Sequence, residues 1–123
     1  MSASSEGACR RGGPALEAAY QLVLWVIPAV EKYPRGLKFT LGDRTMSAAL
    51  DVLDNLIAAA YSRDRMGRLS AANLALKRLR YFMRLASDLR IIDLRRYEHA
   101  ARLTDETGRL IGGWIKADRA AKT

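Results

Sequence analysis

The sequence predicts an all-α protein, an up-down-up-down bundle of four helices, and three observations carry that prediction. Apolar residues return at spacings of three and four in four successive stretches, the connectors between them are short, and no stretch alternates apolar with polar residues. At 123 residues the chain suits one domain, long enough to bury a core and too short for two. Half of the residues are hydrophobic and only 3 Pro and 9 Gly interrupt them, a globular composition. The expected layout is a disordered tail over residues 1–13, the bundle over 14–117 and a frayed basic tail over 118–123.

The first helix begins near Leu16, with Leu16, Tyr20, Val23, Ile27 and Val30 on one face and Ala19 and Val26 beside it. Leu22, Leu24 and Trp25 fall outside that stripe, so this helix is apolar around more of its circumference than one core needs. Pro28 removes a backbone hydrogen bond and predicts a kink, and Pro34 and Gly36 end the helix. A second helix is expected from Thr40, where Thr40 and Asp43 have capping-box spacing. Met46, Leu50, Leu53, Ile57 and Tyr61 form its apolar face, with Ala49, Leu56 and Ala60 alongside.

Residues 62–68 read as a connector, and the third helix as running from about Ser70 to Arg90. Its core face is Ala75, Leu79, Phe82, Ala86 and Leu89; Asn73, Lys77, Arg80, Arg84 and Asp88 lie opposite, and Leu74 and Leu85 lie on a flank beside Arg78 and Tyr81. A tight turn follows, with Asp93 as N-cap of the last helix. There Leu94, Tyr97, Ala101, Thr104, Gly108, Ile111 and Ile115 share a face, flanked by Ala100, Leu103, Leu110 and Trp114. Gly108, Gly112 and Gly113 each cost roughly 1 kcal/mol relative to Ala in a helix interior, which implies close backbone approach or fraying near Gly112.

Charge is placed unevenly. The stretch Arg63–Arg102 holds 11 basic and 4 acidic residues, which is +7 of a formal +8; outside it the chain is nearly balanced. A pI near 10 favours a polyanionic partner, nucleic acid ahead of membrane surface. The longest unbroken apolar run, Leu22–Ile27, is far short of the roughly 18 to 20 residues that span a bilayer, so no membrane contact is expected. The N-terminus has no secretory pattern, and the single cysteine, Cys9, suits a reducing compartment; the expected location is the cytoplasm.

Catalytic constellations are missing. His99 is the only histidine, Cys9 has no partner, and no Glu-x-x-His pair, Gly-rich phosphate loop or Cys-x-x-Cys is present. Asp51 with Asp54, and Asp105 with Glu106, read as solvated positions. No enzyme activity, metal or cofactor is expected.

Two functional signals remain. Lys77, Arg78, Arg80, Arg84, Arg95 and Arg96, with Arg63, Arg65, Arg68 and Arg90, are the candidate phosphate contacts; arginine outnumbers lysine ten to one in the stretch, which suits forked hydrogen bonding or reflects coding bias. Tyr81 and Tyr97 either stack on bases or pack in the core. The second signal is surplus apolar surface at Leu22, Trp25, Leu74, Leu85 and Trp114, which is either a widened core or an interface with another chain.

In order, the chain carries Leu24-Trp25-x-x-Pro28-x-x-Glu31-Lys32-x-Pro34-Arg35, Phe39-Thr40-Leu41-Gly42-Asp43-Arg44, Ala60-Tyr61-Ser62-Arg63-Asp64, Asn73-Leu74-x-Leu76-x-x-Leu79-Arg80, Arg84-Leu85-Ala86-x-Asp88-Leu89-Arg90 and Gly108-Arg109-x-x-Gly112-Gly113-Trp114. Over roughly residues 16 to 117 it resembles the accessory variability determinant (Avd) proteins of diversity-generating retroelements. The resemblance implies a basic, barrel-like homopentamer without catalysis of its own. It also implies partners, a reverse transcriptase and its template RNA or cDNA, in mutagenic cDNA synthesis. More distant alternatives are the four-helix proteins encoded in intervening sequences of 23S rRNA genes, or a helical adaptor that binds protein only.

Overall fold

In the computed structural model, which describes residues 12–122, four helices form an antiparallel bundle and no strand occurs among the described residues. They are α1 (Gly13–Glu31), α2 (Asp43–Tyr61), α3 (Arg65–Asp88) and α4 (Leu94–Lys122). Each packs on its two neighbours around the bundle, α1 on α2, α2 on α3, α3 on α4 and α4 back on α1. The expected tail through residue 11 lies outside the described residues, while Gly12 caps α1 in the left-handed conformation (φ 98°), its carbonyl accepting from Leu16 N–H at 3.0 Å. A side chain at this position would collide with the Trp114 indole.

The core is built largely from alanine. Ala15, Ala19, Ala48, Ala49, Ala59, Ala72, Ala75, Ala86 and Ala100 are buried, interleaved with Leu22, Val26, Val52, Leu56, Leu69, Leu76, Leu79 and Ile111. Small side chains let helix axes approach closely, and the most extensive pairing is the α2–α3 hairpin. This rotates α1 and α2 away from the expected faces. Tyr20 (51% exposed), Ile27, Leu50, Ile57 and Tyr61 point outward, whereas Leu22, read from sequence as outside the core stripe, is fully buried. Burying a leucine is worth roughly 1.5–3 kcal/mol, enough to decide which face of α1 turns inward. In α3, Met83 is buried although outside the expected face, Phe82 is only half-buried, and Leu89, just past the helix end, is exposed. Leu94 is exposed too, and Thr107 is buried with its hydroxyl donating to Leu103 O at 2.7 Å.

α1 continues past Pro28 and ends at Glu31, just before Pro34, as expected. Other element ends differ from expectation for local reasons. Thr40 forms no capping box: Arg35–Leu37 is a helical turn, Lys38–Gly42 a π-helical one, and together they lead into α2, with the Thr40 hydroxyl donating to Leu37 O. The second connector is only residues 62–64, because Asp64 caps α3 early by accepting from Gly67 N–H at 3.2 Å. At the third connector Arg90 (φ 59°) closes a Schellman motif, Ile91 N–H donating to Ala86 O and Arg90 N–H to Ser87 O, and Asp93 caps α4 by accepting from Arg96 N–H at 2.8 Å, as expected. No fraying begins at Gly112: α4 runs through the expected 118–123 tail as far as Lys122. Of its glycines, Gly108 is the point of close approach, where a Cβ would lie 2.8 Å from Arg80 Nη2 and 3.3 Å from Leu76 Cδ2.

By length and apolar content α1 would suffice to cross a bilayer, contrary to the expectation from its unbroken run; here its inward face is committed to the bundle core.

Tyr33, just beyond α1, is buried and its hydroxyl has no hydrogen-bond partner among the described residues. Burial pushes the phenol pKa above its ordinary value; the neighbouring Thr45 hydroxyl offsets this in part, although its proton is already donated to Leu41 O. A raised folded-state pKa stabilises the fold in full below the unfolded value of about 10 and progressively less as pH rises above it. Tyr33→Phe is therefore expected to match or exceed the parent at neutral pH, by up to about 1 kcal/mol, and to lose less stability between about pH 8 and about pH 11. Urea midpoints at the two pH values check this; an equal alkaline loss in both proteins would refute it.

Candidate nucleic-acid interface

The basic stretch that is continuous in sequence is divided by the fold. α3 is 24 residues, about 36 Å, and Arg63, Arg65 and Arg68 lie at its start while Arg90, Arg95 and Arg96 lie beyond its end. They cannot form one small site.

Two of the candidate arginines have structural work. Arg65 Nη1 pairs with Asp118 Oδ1 at 2.9 Å and its Nε donates to Ala59 O at 3.1 Å, which ties together the end of α2, the start of α3 and the last turns of α4. Asp118 is buried, its side chain only 4% exposed. Arg80 crosses to α4 over Gly108, Nη1 pairing with Asp105 Oδ1 at 2.9 Å and Nη2 donating to Thr104 O at 3.1 Å. Both side chains hold helices together, and neither guanidinium is open for a full phosphate fork.

Among the described residues the others stand free or nearly so. Lys77, Arg78 and Arg84 are exposed along α3, Arg84 with only a loose 3.9 Å contact to Asp88. Arg63 projects from the connector and Arg68 from the first turn of α3. At the opposite end, Arg90 and Arg96 line one open cleft with Ser87, Ile91, Ile92, Asp93 and Leu94. Arg95 and Arg96 line a second with Trp25, Asp93, His99 and Arg102. Arg96 borders both, so Arg90, Arg95, Arg96 and Arg102 make one basic end. Sequence reading leaves Arg102 and His99 out of any site and places Trp25 only in the apolar interface; the spacing of Arg95, His99 and Arg102 on one helical face is a usable signal, but the approach of Trp25 from α1 is not.

On α4, Arg109 is committed locally to Glu106, with Nε–Oε1 at 3.1 Å and Nη2–Oε2 at 2.8 Å. Those hydrogen bonds, more than the charge, hold the Glu106 carboxyl below its ordinary pKa and the Arg109 guanidinium above its own.

Of the aromatic candidates, Tyr81 is exposed, and Tyr97 is half-buried against the core. Leu74 and Leu85 stay exposed on the α3 flank with Tyr81. Leu22 is fully buried and so not part of an interface, and Trp25 and Trp114 are half-buried against this chain's own core, so that much of the surplus belongs to a widened core. A different apolar surface takes their place. Tyr20, Leu24 and Ile27 fall at i, i+4 and i+7 on α1, and Leu50, Ile57 and Tyr61 at i, i+7 and i+11 on α2. Each series lies on the outer side of its helix where the two pack, so together they form one exposed face. Among the described residues no group of three His, Cys, Asp or Glu side chains is placed to hold a metal ion.

A family model described as bAvd-like matches residues 16–117. The chain belongs to this family. It is the accessory variability determinant family that the ordered motifs resemble, and bAvd-like proteins are accessory helical proteins not known to be catalytic. No curated protein matches the sequence. The four-helix bundle expected of a bAvd-like chain is the fold found here. Its match ends one residue before Asp118, so the Arg65–Asp118 clamp closes the bundle from just outside the matched segment.

Proposed function

We propose that this bAvd-like chain is a non-enzymatic accessory protein that associates with a retroelement reverse transcriptase and its template RNA or cDNA, supporting mutagenic cDNA synthesis in the cytoplasm. The observation that carries the nucleic-acid part is the set of exposed cations without a firm carboxylate partner among the described residues, Lys77, Arg78 and Arg84 along α3 and Arg95 and Arg102 at the basic end. Side chains already satisfied by carboxylates have little to gain from phosphate; these have. The surface spanned by Tyr20, Leu24, Ile27, Leu50, Ile57 and Tyr61 supports self-association, and family membership favours a barrel-like pentamer. Closing a ring would repeat the basic surface and raise its effective charge toward a long polyanion.

Light scattering after size exclusion is expected to give a multiple of the 13.7 kDa chain mass, and Leu24→Glu with Ile57→Glu to reduce it to the monomer without loss of helicity. A parent protein that runs as a monomer at micromolar concentration overturns the assembly. Capture of the polymerase should weaken after nuclease treatment at high salt; capture that survives unchanged assigns the chain to the protein-only adaptor reading, which the same apolar face supports.

A further inference from the structure

The second cleft at the basic end differs from the rest of the charged surface in having an aromatic wall. It is an open recess of about 510 Å³ between α1 and the N-terminal half of α4, lined by Trp25, Asp93, Arg95, Arg96, His99 and Arg102. The Trp25 and His99 ring centroids are 5.6 Å apart and the planes are inclined by 42°. At that separation the two rings leave no room for a base between them. His99 is exposed and Trp25 half-buried against the core, which leaves the imidazole as the outer ring of a tilted pair with the indole. Arg95 lies four residues before His99 and Arg102 three after it, about 6 and about 4.5 Å along the helix axis, on the same face. Neither arginine is in an ion pair among the described residues, and neither is Arg96. The one carboxylate in the lining, Asp93, is engaged by the Arg96 backbone N–H.

We propose that this cleft is a single-strand nucleotide subsite, in which His99, paired with Trp25, stacks one unpaired base while Arg95 and Arg102 hold the phosphates on either side. The proposal rests on the nucleic-acid reading above and deepens it. Duplex hides base faces within its own stack and offers only phosphates, whereas a single strand offers both; cation and aromatic side by side thus select the unpaired form.

The test uses a fluorescently labelled ten-nucleotide uridine RNA and a ten-base-pair RNA duplex, read by anisotropy, with indole emission recorded in a Trp114→Phe variant so that Trp25 is the sole reporter. The single strand is expected to quench Trp25 and the duplex not to. His99→Ala should weaken single-strand binding roughly 5- to 100-fold with little change in its salt dependence, and His99→Phe should restore it. Arg102→Ala should instead lower the salt slope by about one contact. His99 is exposed, so its variants report binding even if Trp114→Phe folds poorly. Parent binding to RNA with no effect of His99→Ala overturns the subsite alone; parent binding to neither RNA overturns the broader reading with it. Equal quenching by a polyglutamate peptide overturns base stacking in favour of an acidic protein partner.

Discussion

Arg65→Met is expected to lower the stability of the bundle by about 3 kcal/mol, with Tm falling by roughly 10 °C. The asymmetry of the pair makes the effect large. Arg65 keeps 30% of its side chain in water but Asp118 only 4%, so removing the guanidinium strips a buried carboxylate of this cation and frees the Ala59 carbonyl as well. Asp118→Asn should cost less, about 1–2 kcal/mol, because the half-exposed arginine regains water and keeps its bond to Ala59 O. The comparison is Arg80→Met. Its partner Asp105 is 69% exposed, so loss of that pair and of the bond to Thr104 O should together stay near about 1 kcal/mol. Urea unfolding of the three variants checks the order; an Arg80→Met loss equal to that of Arg65→Met would show that helix bridging rather than burial sets the cost.

Charge reversal at Lys77 and Arg84 is expected to produce the largest loss of nucleic-acid binding. If each side chain neutralises one phosphate of a single strand, removing both contacts lowers affinity on the order of 25-fold near 0.1 M salt, and the slope of log affinity against log salt falls by about two contacts. Reversal adds repulsion to that loss. The two side chains are exposed on α3 and not fixed to α4, so helicity and Tm should remain within about 0.5 kcal/mol of the parent. Arg80 is left out of this pair on purpose, since its guanidinium spans to Asp105 and Thr104 and its replacement mixes stability with binding. Titration of a labelled RNA across a salt series separates these effects, and an unchanged slope would remove α3 from the interface.

The helical period made the four helices and their order legible, and local capping chemistry marked the start of α4 at Asp93. α3 starts earlier than composition suggests, because Arg65, Gly67 and Arg68 look like connector residues whereas Asp64 caps them into a helix. α4 ends later for the opposite reason. Residues past Ala117 look like a basic tail until Asp118 is seen to be buried against Arg65, 53 positions away. The apolar period of α1 and α2 points to Tyr20, Ile27, Leu50, Ile57 and Tyr61, yet alanines and Leu22 turn inward while those residues stay out. A hydrophobic stripe states that a face prefers burial; it does not say whether the same chain or another buries it.

Sequence alone determined the fold class, the family and the concentration of positive charge between Arg63 and Arg102, because period, ordered motifs and charge count are properties of the chain itself. Only the tertiary structure decided which of those cations face solvent. Arg65 and Arg80 meet carboxylates supplied by α4, Lys77 and Arg84 do not, and Trp25 reaches His99 only once α1 and α4 are packed. These are distances between residues far apart in sequence, and packing fixes them through the small alanines that draw the helices together.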